Sequence, residues 1–596
     1  MKIIVVLLLL NIEIYGWLCF RFVIILSEKK GLELCVGGRK VRKVNYNEVT
    51  KFNTIREPIN IAEKEAGDKN AFEYKEDGKL VQVTYKQFKE DINSLGTALM
   101  KIHMDDRHIA TIGENSYKWI TTYLATLCSD GIFVPIDKEL TKSEIINVLK
   151  NSDSEVLFYS AKYEDYISDI KSELPSIKYF IAFGKIADDD ISLSYDMFIE
   201  NGRKEIKNGN DAFEKQEHTN LNKLKMLVYT SGTTDKPKGV MLTEHNLVSS
   251  VYYGLMVSTV YTKCLSVLPY HHTYEAVSGL LVGLHKHVTI CINDSLKNVL
   301  KNLQYYKPDY IYLVPAFSEV FYKNIWNNAK KTGKEKGLKF LIKFSNALRK
   351  IGIDRRKTLF KSIHEAFGGN LKKIVVGGAP LRTDIGKFFD DIGIDLINGY
   401  GITECSPLVS VNMDDFNNPA TVGVVLPCCQ IKFENVNDDG DGEICVKGDV
   451  VMLGYYKDIE RTEKVLKDGW FNTEDYGRFN ENGQLIINGR KKNVIVLNNG
   501  KNIYPEEIES YILRIPYVSE VVVRSEKNDI GQDLSLKAEV FLNKEKVKEF
   551  ENANIEEILK KDISQVTKEL PVYKHITTVE IREKEFEKTT TNKIKR

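Results

Sequence analysis

Five short apolar runs, MLVY (226–229), LSVL (265–268), YIYLV (310–314), KIVV (373–376) and DLIN (395–398), are separated by segments long enough to form a helix. Runs with little polar alternation suit strands buried on both faces, and helix-length spacers suit the crossovers that parallel strands require. The pattern therefore predicts an α/β chain with largely parallel, doubly wound sheets. Upstream, IATI, the helix-like NSYKWITTYLATL and IFVPI read as one more β-α-β unit. The stretch AFEYKEDGKLVQVTY alternates about Asp77 and Gly78, a hairpin signal, and Phe88, Ile92, Leu95 and Leu99 then recur at helical spacing. At 596 residues the chain needs more than one packed unit.

The texture changes twice along the chain. Residues 324–366 are rich in Lys and Arg, helical in period and free of Pro, which reads as a helical insertion. After about residue 425 short alternating strands appear with turn signals such as NDDGDG, and from Arg490 the pattern becomes α+β. The expected organisation is a large N-terminal domain of doubly wound sheets plus a β-rich subdomain over 44–489, followed by a small α+β domain over 490–596.

Residues 1–43 stand apart. The stretch 3–26 would reach about 36 Å as a helix, enough for a hydrocarbon core of about 30 Å, but Glu13 and Arg21 interrupt it. Its 17 Leu, Ile, Val and Phe residues favour insertion by roughly 5–10 kcal/mol, against about 5–7 kcal/mol for the two charges. Two readings stay open: a membrane anchor, or upstream sequence translated from a misassigned start. The basic cluster Lys29, Lys30, Arg39, Lys40, Arg42 and Lys43 would keep the body of an anchored protein on the cytoplasmic side. Nine scattered cysteines without a C-x-x-C pair fit a reducing, cytoplasmic compartment. With 84 Lys and Arg against 83 Asp and Glu, no net field points to nucleic acid.

The segment YTSGTTDKPKGV (229–240) carries the most chemistry. Thr230, Ser231, Gly232, Thr233 and Thr234 are small enough for backbone N–H groups to approach phosphate oxygens, and Lys236 and Lys238 supply charge for a polyphosphate. It is not a Walker A loop, because no Gly-Lys-Ser/Thr follows at the required spacing. Further along come LPYHHTYE (268–275), GGAPL (377–381), NGYGITECSP (398–407), GWFNTEDYG (469–477), NGRKKNVIVLNNGKNIYPEEIE (488–509) and KTTTNKIKR (588–596).

These segments, in this order, resemble the adenylate-forming (AMP-binding) superfamily, and the basic insertion with LPYHHTYE looks most like its long-chain fatty acyl-CoA synthetases. The resemblance implies ATP-dependent activation of a fatty acid to acyl-AMP, followed by transfer to coenzyme A with release of AMP and pyrophosphate. It also implies that the C-terminal domain is a mobile lid, rotating about Lys492 and bringing the segment around Gly500 to the CoA side. Gly378, Ala379 and Pro380 would line the nucleotide pocket, Tyr400 would stack on adenine, and Asp475 with Arg490 would hold the ribose. The Gly-x-Gly turn ending at Gly401 would present Thr403 to a phosphate and Glu404, a hard oxygen ligand, to the Mg²⁺ that accompanies ATP. Lys593 matches the adenylation lysine, with Asn592 where the family has glycine. Asn tolerates positive φ best among the other residues.

His272, with His271 beside it, would line the carboxylate and acyl site. Beyond them Ala276, Gly279 and Gly283 fall near one helical face, leaving either a groove for an alkyl chain or close helix–sheet packing. Glu474 stands where the family commonly has glycine, which puts the local turn geometry in question. An acyl-carrier-protein synthetase would share every motif and differ in its acceptor. A peptide-synthetase adenylation domain fits less well, since no carrier domain follows, and a non-catalytic nucleotide-binding protein is opposed by Glu404, Asp475, Arg490 and Lys593.

Overall fold

The computed structural model describes residues 32–36, 39–184, 190–230, 238–496, 502–527, 533–550, 554–588, 594 and 596. The apolar stretch 3–26 and both readings of it lie outside the described residues. Among the described residues no helix is long and apolar enough to cross a membrane. The chain groups into two compact units, the first comprising Met1–Gln430, Val446–Phe471 and Glu481–Gln484.

That first unit holds an eight-stranded and a nine-stranded sheet. The expected β-α-β unit is there: His108–Ile112 and Ile132–Ile136 run parallel, with Ala110 opposite Val134, joined by helix Tyr117–Leu127. The Ser116 side chain starts that helix by accepting the Trp119 N–H, one of the donors a helix N-terminus leaves unpaired. The hairpin at Asp77 and Gly78 also forms, between Asn70–Glu76 and Lys79–Thr84. Asp77 (φ 48°) and Gly78 (φ 77°) are both left-handed, as a two-residue turn matched to strand twist needs.

In the nine-stranded sheet Lys263–Ser266, Tyr310–Leu313, Lys373–Val376 and Asp395–Gly401 lie side by side and parallel. Ile311, Leu313, Ile374, Val376 and Leu396 are fully buried there, in one core with Leu303 and Phe389, each worth about 1.5–3 kcal/mol of burial. The run LSVL is only half strand, since the strand ends at Ser266 and the rest leads into a loop. The basic insertion forms helices Pro315–Lys331, Glu335–Lys350, Arg356–Leu359 and Lys361–Ala366, and serves as the crossover between two neighbouring parallel strands.

The second unit comprises Ile431–Cys445, Asn472–Asn480 and Leu485–Arg596, so Arg490 falls inside it. Its three-stranded sheet pairs Val518–Lys527 antiparallel and Thr578–Arg582 parallel with Asp533–Leu542. Helices Pro505–Ile512 and Ile555–Thr567 contribute Ile508, Leu559 and Ile563 to a core with Val521 and Val540. The α/β character expected from the apolar runs is thus what the chain adopts.

Candidate active site

Parallel strands in register put their carboxyl ends on one edge, where open α/β sheets bind ligands. Three of the motifs leave the nine-stranded sheet at that edge: residues 268–275 after Lys263–Ser266, residues 377–381 after Lys373–Val376, and residues 402–407 after Asp395–Gly401. Gly378 sits at φ 79° with open space where a Cβ would stand, and Gly378, Ala379 and Pro380 are all exposed. Gly401 is required for a different reason: a Cβ there would lie 2.0 Å from the Pro407 carbonyl oxygen. The same oxygen accepts the Ile402 N–H at 2.8 Å and closes the turn that carries Thr403 and Glu404. Tyr400 is buried at the strand end.

The segment 229–240 closes a hairpin in the eight-stranded sheet, with Leu224–Thr230 antiparallel to Lys238–Thr243 and Thr230 opposite Lys238. Ser231, Gly232, Thr233 and Thr234 lie outside the described residues, while Thr230 and Lys238 mark the two posts of the loop. A short strand, Gly454–Tyr455, pairs with the outer side of this hairpin, Tyr455 opposite Val240. The Tyr455 hydroxyl donates to Glu404 Oε1 at 2.9 Å, and the Lys238 ammonium stands 5.1 Å from the centre of the Tyr455 ring. The Met452 N–H also donates to the Glu404 carbonyl at 2.9 Å. Lys238 and Glu404, far apart in sequence and on different sheets, therefore meet on one tyrosine. Sequence reasoning missed Tyr455; the only local signal was an aromatic pair after a glycine, and the strand pairing that gives it meaning is long-range.

Asp475 and Arg490 face each other across an antiparallel pair, with Arg490 Nε 3.0 Å from Asp475 Oδ1. The Asp475 side chain is buried and that of Arg490 half exposed. Glu474 adopts φ 58°, so the backbone here does take the left-handed conformation that suits glycine, at about 1 kcal/mol or more for a side chain. The Asn472 side chain accepts the Glu474 N–H at 2.9 Å and the Thr473 hydroxyl accepts the Asp475 N–H at 3.1 Å, holding the turn. Beside Lys492, which is exposed, Lys491 reaches both oxygens of the buried Glu443 at 2.9 and 3.1 Å. Lys593, Asn592 and Gly500 lie outside the described residues.

The loop 268–275 is clamped by Asn115, which donates to the Leu268 carbonyl at 2.7 Å and accepts the Tyr270 N–H at 3.1 Å. His271 is buried with Nε2 3.3 Å from Asp137 Oδ1, and its ring centre is 4.2 Å from that of His272. Burial, then the neighbouring His272, holds the His271 imidazole well below its usual range, although Asp137 opposes this. His272 is partly exposed, so of the two it is the one open to a ligand.

Of the two readings for Ala276, Gly279 and Gly283, the structure fits close packing rather than a groove. Residues Tyr274–Leu281 form a π-helix, whose wider turn destroys the 3.6-residue spacing on which a shared face of Ala276, Gly279 and Gly283 depended. Gly279 instead makes room for the buried Glu275: a Cβ would lie 2.8 Å from its Cδ and 2.9 Å from Oε1. A Cβ at Gly283 would lie 3.0 Å from Ile290 Cδ1, and Ala276 is fully buried. Burial pushes the Glu275 carboxyl up to about 8, against hydrogen bonds from Ser266 and the Leu268 N–H. Gly279→Leu should therefore overpack the Glu275 site, costing about 1–3 kcal/mol. Thermal melts should fall and activity should drop equally for short and long acids. A shift toward shorter acids with an unchanged melt would restore the groove.

Glu404 fits a magnesium ion that arrives with nucleotide, since Mg²⁺ commonly takes one or two protein carboxylates and completes its shell with phosphate and water. Among the described residues no group of three or more His, Cys, Asp or Glu gathers as a fuller metal cage.

Comparison with known proteins adds a second line. Residues 60–456 match the family described as AMP-binding enzyme. Long-chain-fatty-acid–CoA ligase 5 of Rattus norvegicus is 31% identical over 474 residues, 74% of this chain and 69% of the relative. The chloroplastic long-chain-fatty-acid–[acyl-carrier-protein] ligase AEE15 of Arabidopsis thaliana is 27% identical over 561 residues, 81% of this chain and 76% of the relative. Among solved structures, the anthranilate CoA ligase AuaEII in complex with anthranoyl-AMP superposes with a TM-score of 0.71 at 19% identity, covering 91% of this chain and 96% of that one, a likeness of fold.

Proposed function

The chain belongs to the AMP-binding enzyme family, and from that premise we propose that it is an ATP-dependent, AMP-forming ligase that activates a long-chain fatty acid and transfers it to coenzyme A. The observation that carries this reading is the junction of Lys238 and Glu404 on Tyr455, beside the sheet edge that holds Gly378 and Tyr400. A cation suited to phosphate stands over the face of the Tyr455 ring, and a carboxylate suited to the counter-ion accepts from its hydroxyl.

In the first half-reaction a carboxylate oxygen of the fatty acid bonds to the α-phosphorus of ATP and pyrophosphate leaves. In the second the CoA thiolate adds to the acyl carbonyl and AMP leaves. Little covalent work falls to the protein, which positions groups and balances charge. Thr230, Ser231, Gly232, Thr233, Thr234 and Lys238 would cradle the leaving phosphates, and Thr403 would donate to a phosphate oxygen. Glu404 would hold Mg²⁺, which would neutralise phosphate charge. Gly378, Ala379, Pro380 and Tyr400 would seat the adenine, and the Asp475 carboxylate would accept both ribose hydroxyls, with Arg490 as a second contact. His272 would line the carboxylate site and Lys593 would reach the α-phosphate. A lid beginning at Arg490, with its hinge at Lys492 and Gly500 on the CoA side, belongs to the same proposal, as does a cytoplasmic location with residues 3–26 as the membrane contact.

The acceptor has one rival, acyl carrier protein, favoured by the resemblance to a ligase of that name. Pyrophosphate exchange with a panel of carboxylic acids, then CoA set against carrier protein, tests both. Exchange should depend on long-chain acids and yield acyl-CoA with AMP. Faster transfer to carrier protein would reassign the acceptor, and no exchange with any acid would leave a nucleotide-binding protein without this activity.

A further inference from the structure

The basic helical insertion plays no part in the site described above, and its central helix has two apolar sides. Between residues 315 and 366 thirteen Lys and Arg stand against four Asp and Glu, in a chain whose overall charge is +1. Helix Glu335–Lys350 is already seated by its inner face: Leu338 is buried, Leu341 and Ile342 pack against the core, and Asn346 donates to Asp391 at 2.8 Å. Arg349 pairs with Asp390 at 2.9 Å on the same side.

The opposite face should then be polar, and it is not. Phe340 is 66% exposed, Phe344 45% and Ile351, just past the helix end, 70%. Steps of four and seven residues put the three on one side of the helix. The two phenylalanine rings lie parallel within 8°, centres 6.2 Å apart, forming one apolar ridge rather than scattered side chains. Beside the ridge Lys336, Lys343 and Lys350 recur every seven residues and are all exposed. Contiguous apolar surface on a folded protein marks a contact site. Protein–protein interfaces are depleted in lysine, whereas helices lying in a membrane surface combine Phe and Leu on one strip with Lys and Arg at its flank.

We propose that this outward face is a docking surface for an anionic lipid bilayer. Phe340, Phe344 and Ile351 enter the boundary between headgroups and acyl chains, and Lys336, Lys343 and Lys350 meet lipid phosphates and carboxylates. The ridge and the lysine row face the same way, so both engage in a single orientation.

Co-sedimentation of the full chain with phosphatidylcholine vesicles, with and without phosphatidylserine, reads the interaction without ATP, CoA or acyl substrate. Binding should need phosphatidylserine and weaken in high salt. Combining Lys336→Glu, Lys343→Glu and Lys350→Glu should lower it about 100-fold, at about fivefold per lysine. Phe340→Ser with Phe344→Ser should lower it at least about tenfold. Because residues 3–26 could bind lipid by themselves, Phe344→Trp supplies a local reading: the fluorescence it adds should be quenched by brominated phospholipid. No quenching, quenching as strong on vesicles without phosphatidylserine, or quenching left unchanged when the three lysine substitutions are added would each overturn the proposal. Self-association without vesicles that the variants abolish would assign the ridge to a second copy and overturn it too.

Discussion

Lys593→Ala should slow acyl-adenylate formation about 10²- to 10³-fold, the loss seen when one electrostatic stabiliser of a developing charge is removed. Transfer from ready-made acyl-AMP to CoA should be spared. The reason is that the resemblance puts Lys593 on a mobile lid, against the α-phosphate and the carboxylate during the first half-reaction and swung away from them in the second. Two assays separate the halves: fatty acid with ATP, following pyrophosphate, and synthetic acyl-AMP with CoA, following the thioester. A parallel fall in both would mean that Lys593 serves both steps or the fold. No fall in either would make it a solvated tail residue, and the exchange of glycine for Asn592 would then have cost the motif its function.

Glu404→Ala should reduce pyrophosphate exchange by a similar factor, about 10²- to 10³-fold, because it removes the one carboxylate at this turn suited to Mg²⁺. Extra magnesium should recover part of the loss if the carboxylate acts on the metal. Tyr455→Phe is the informative companion. Its hydroxyl donates to Glu404 Oε1 at 2.9 Å. A hydrogen bond to a charged group is worth about 1.5–3 kcal/mol, so loss of the hydroxyl should cost about tenfold or more in exchange. The magnesium concentration giving half-maximal rate should rise with it. A Tyr455→Phe enzyme with an unchanged magnesium titration would show that the hydroxyl does not orient Glu404. A Glu404→Ala enzyme with unchanged exchange would remove the carboxylate from the mechanism.

The parts of the fold legible in the sequence were those set by neighbours a few residues apart. KIVV is a buried strand because β-branched residues without polar alternation suit a sheet covered on both faces, and Lys373–Val376 is such a strand. Asp77 and Gly78 turn the chain because both accept positive φ, and Glu474 adopts φ 58° at a position that suits glycine, its turn held by Asn472 and Thr473. At Gly279 local reasoning left a groove and close packing both open, and the chain packs closely there, in a π-helix around a buried carboxyl.

Sequence by itself determined the α/β alternation, the order of the motifs and the placement of glycines in turns, since backbone sterics and hydrophobic period act within a single element. Tertiary structure alone decided that Lys238, Tyr455 and Glu404 meet, because strand pairing between residues 240 and 455 depends on how whole sheets are packed. It also decided which apolar side of helix Glu335–Lys350 is covered. Leu338 and Phe340 are equally hydrophobic in the sequence, and only the core beneath the helix makes one buried and leaves the other in solvent.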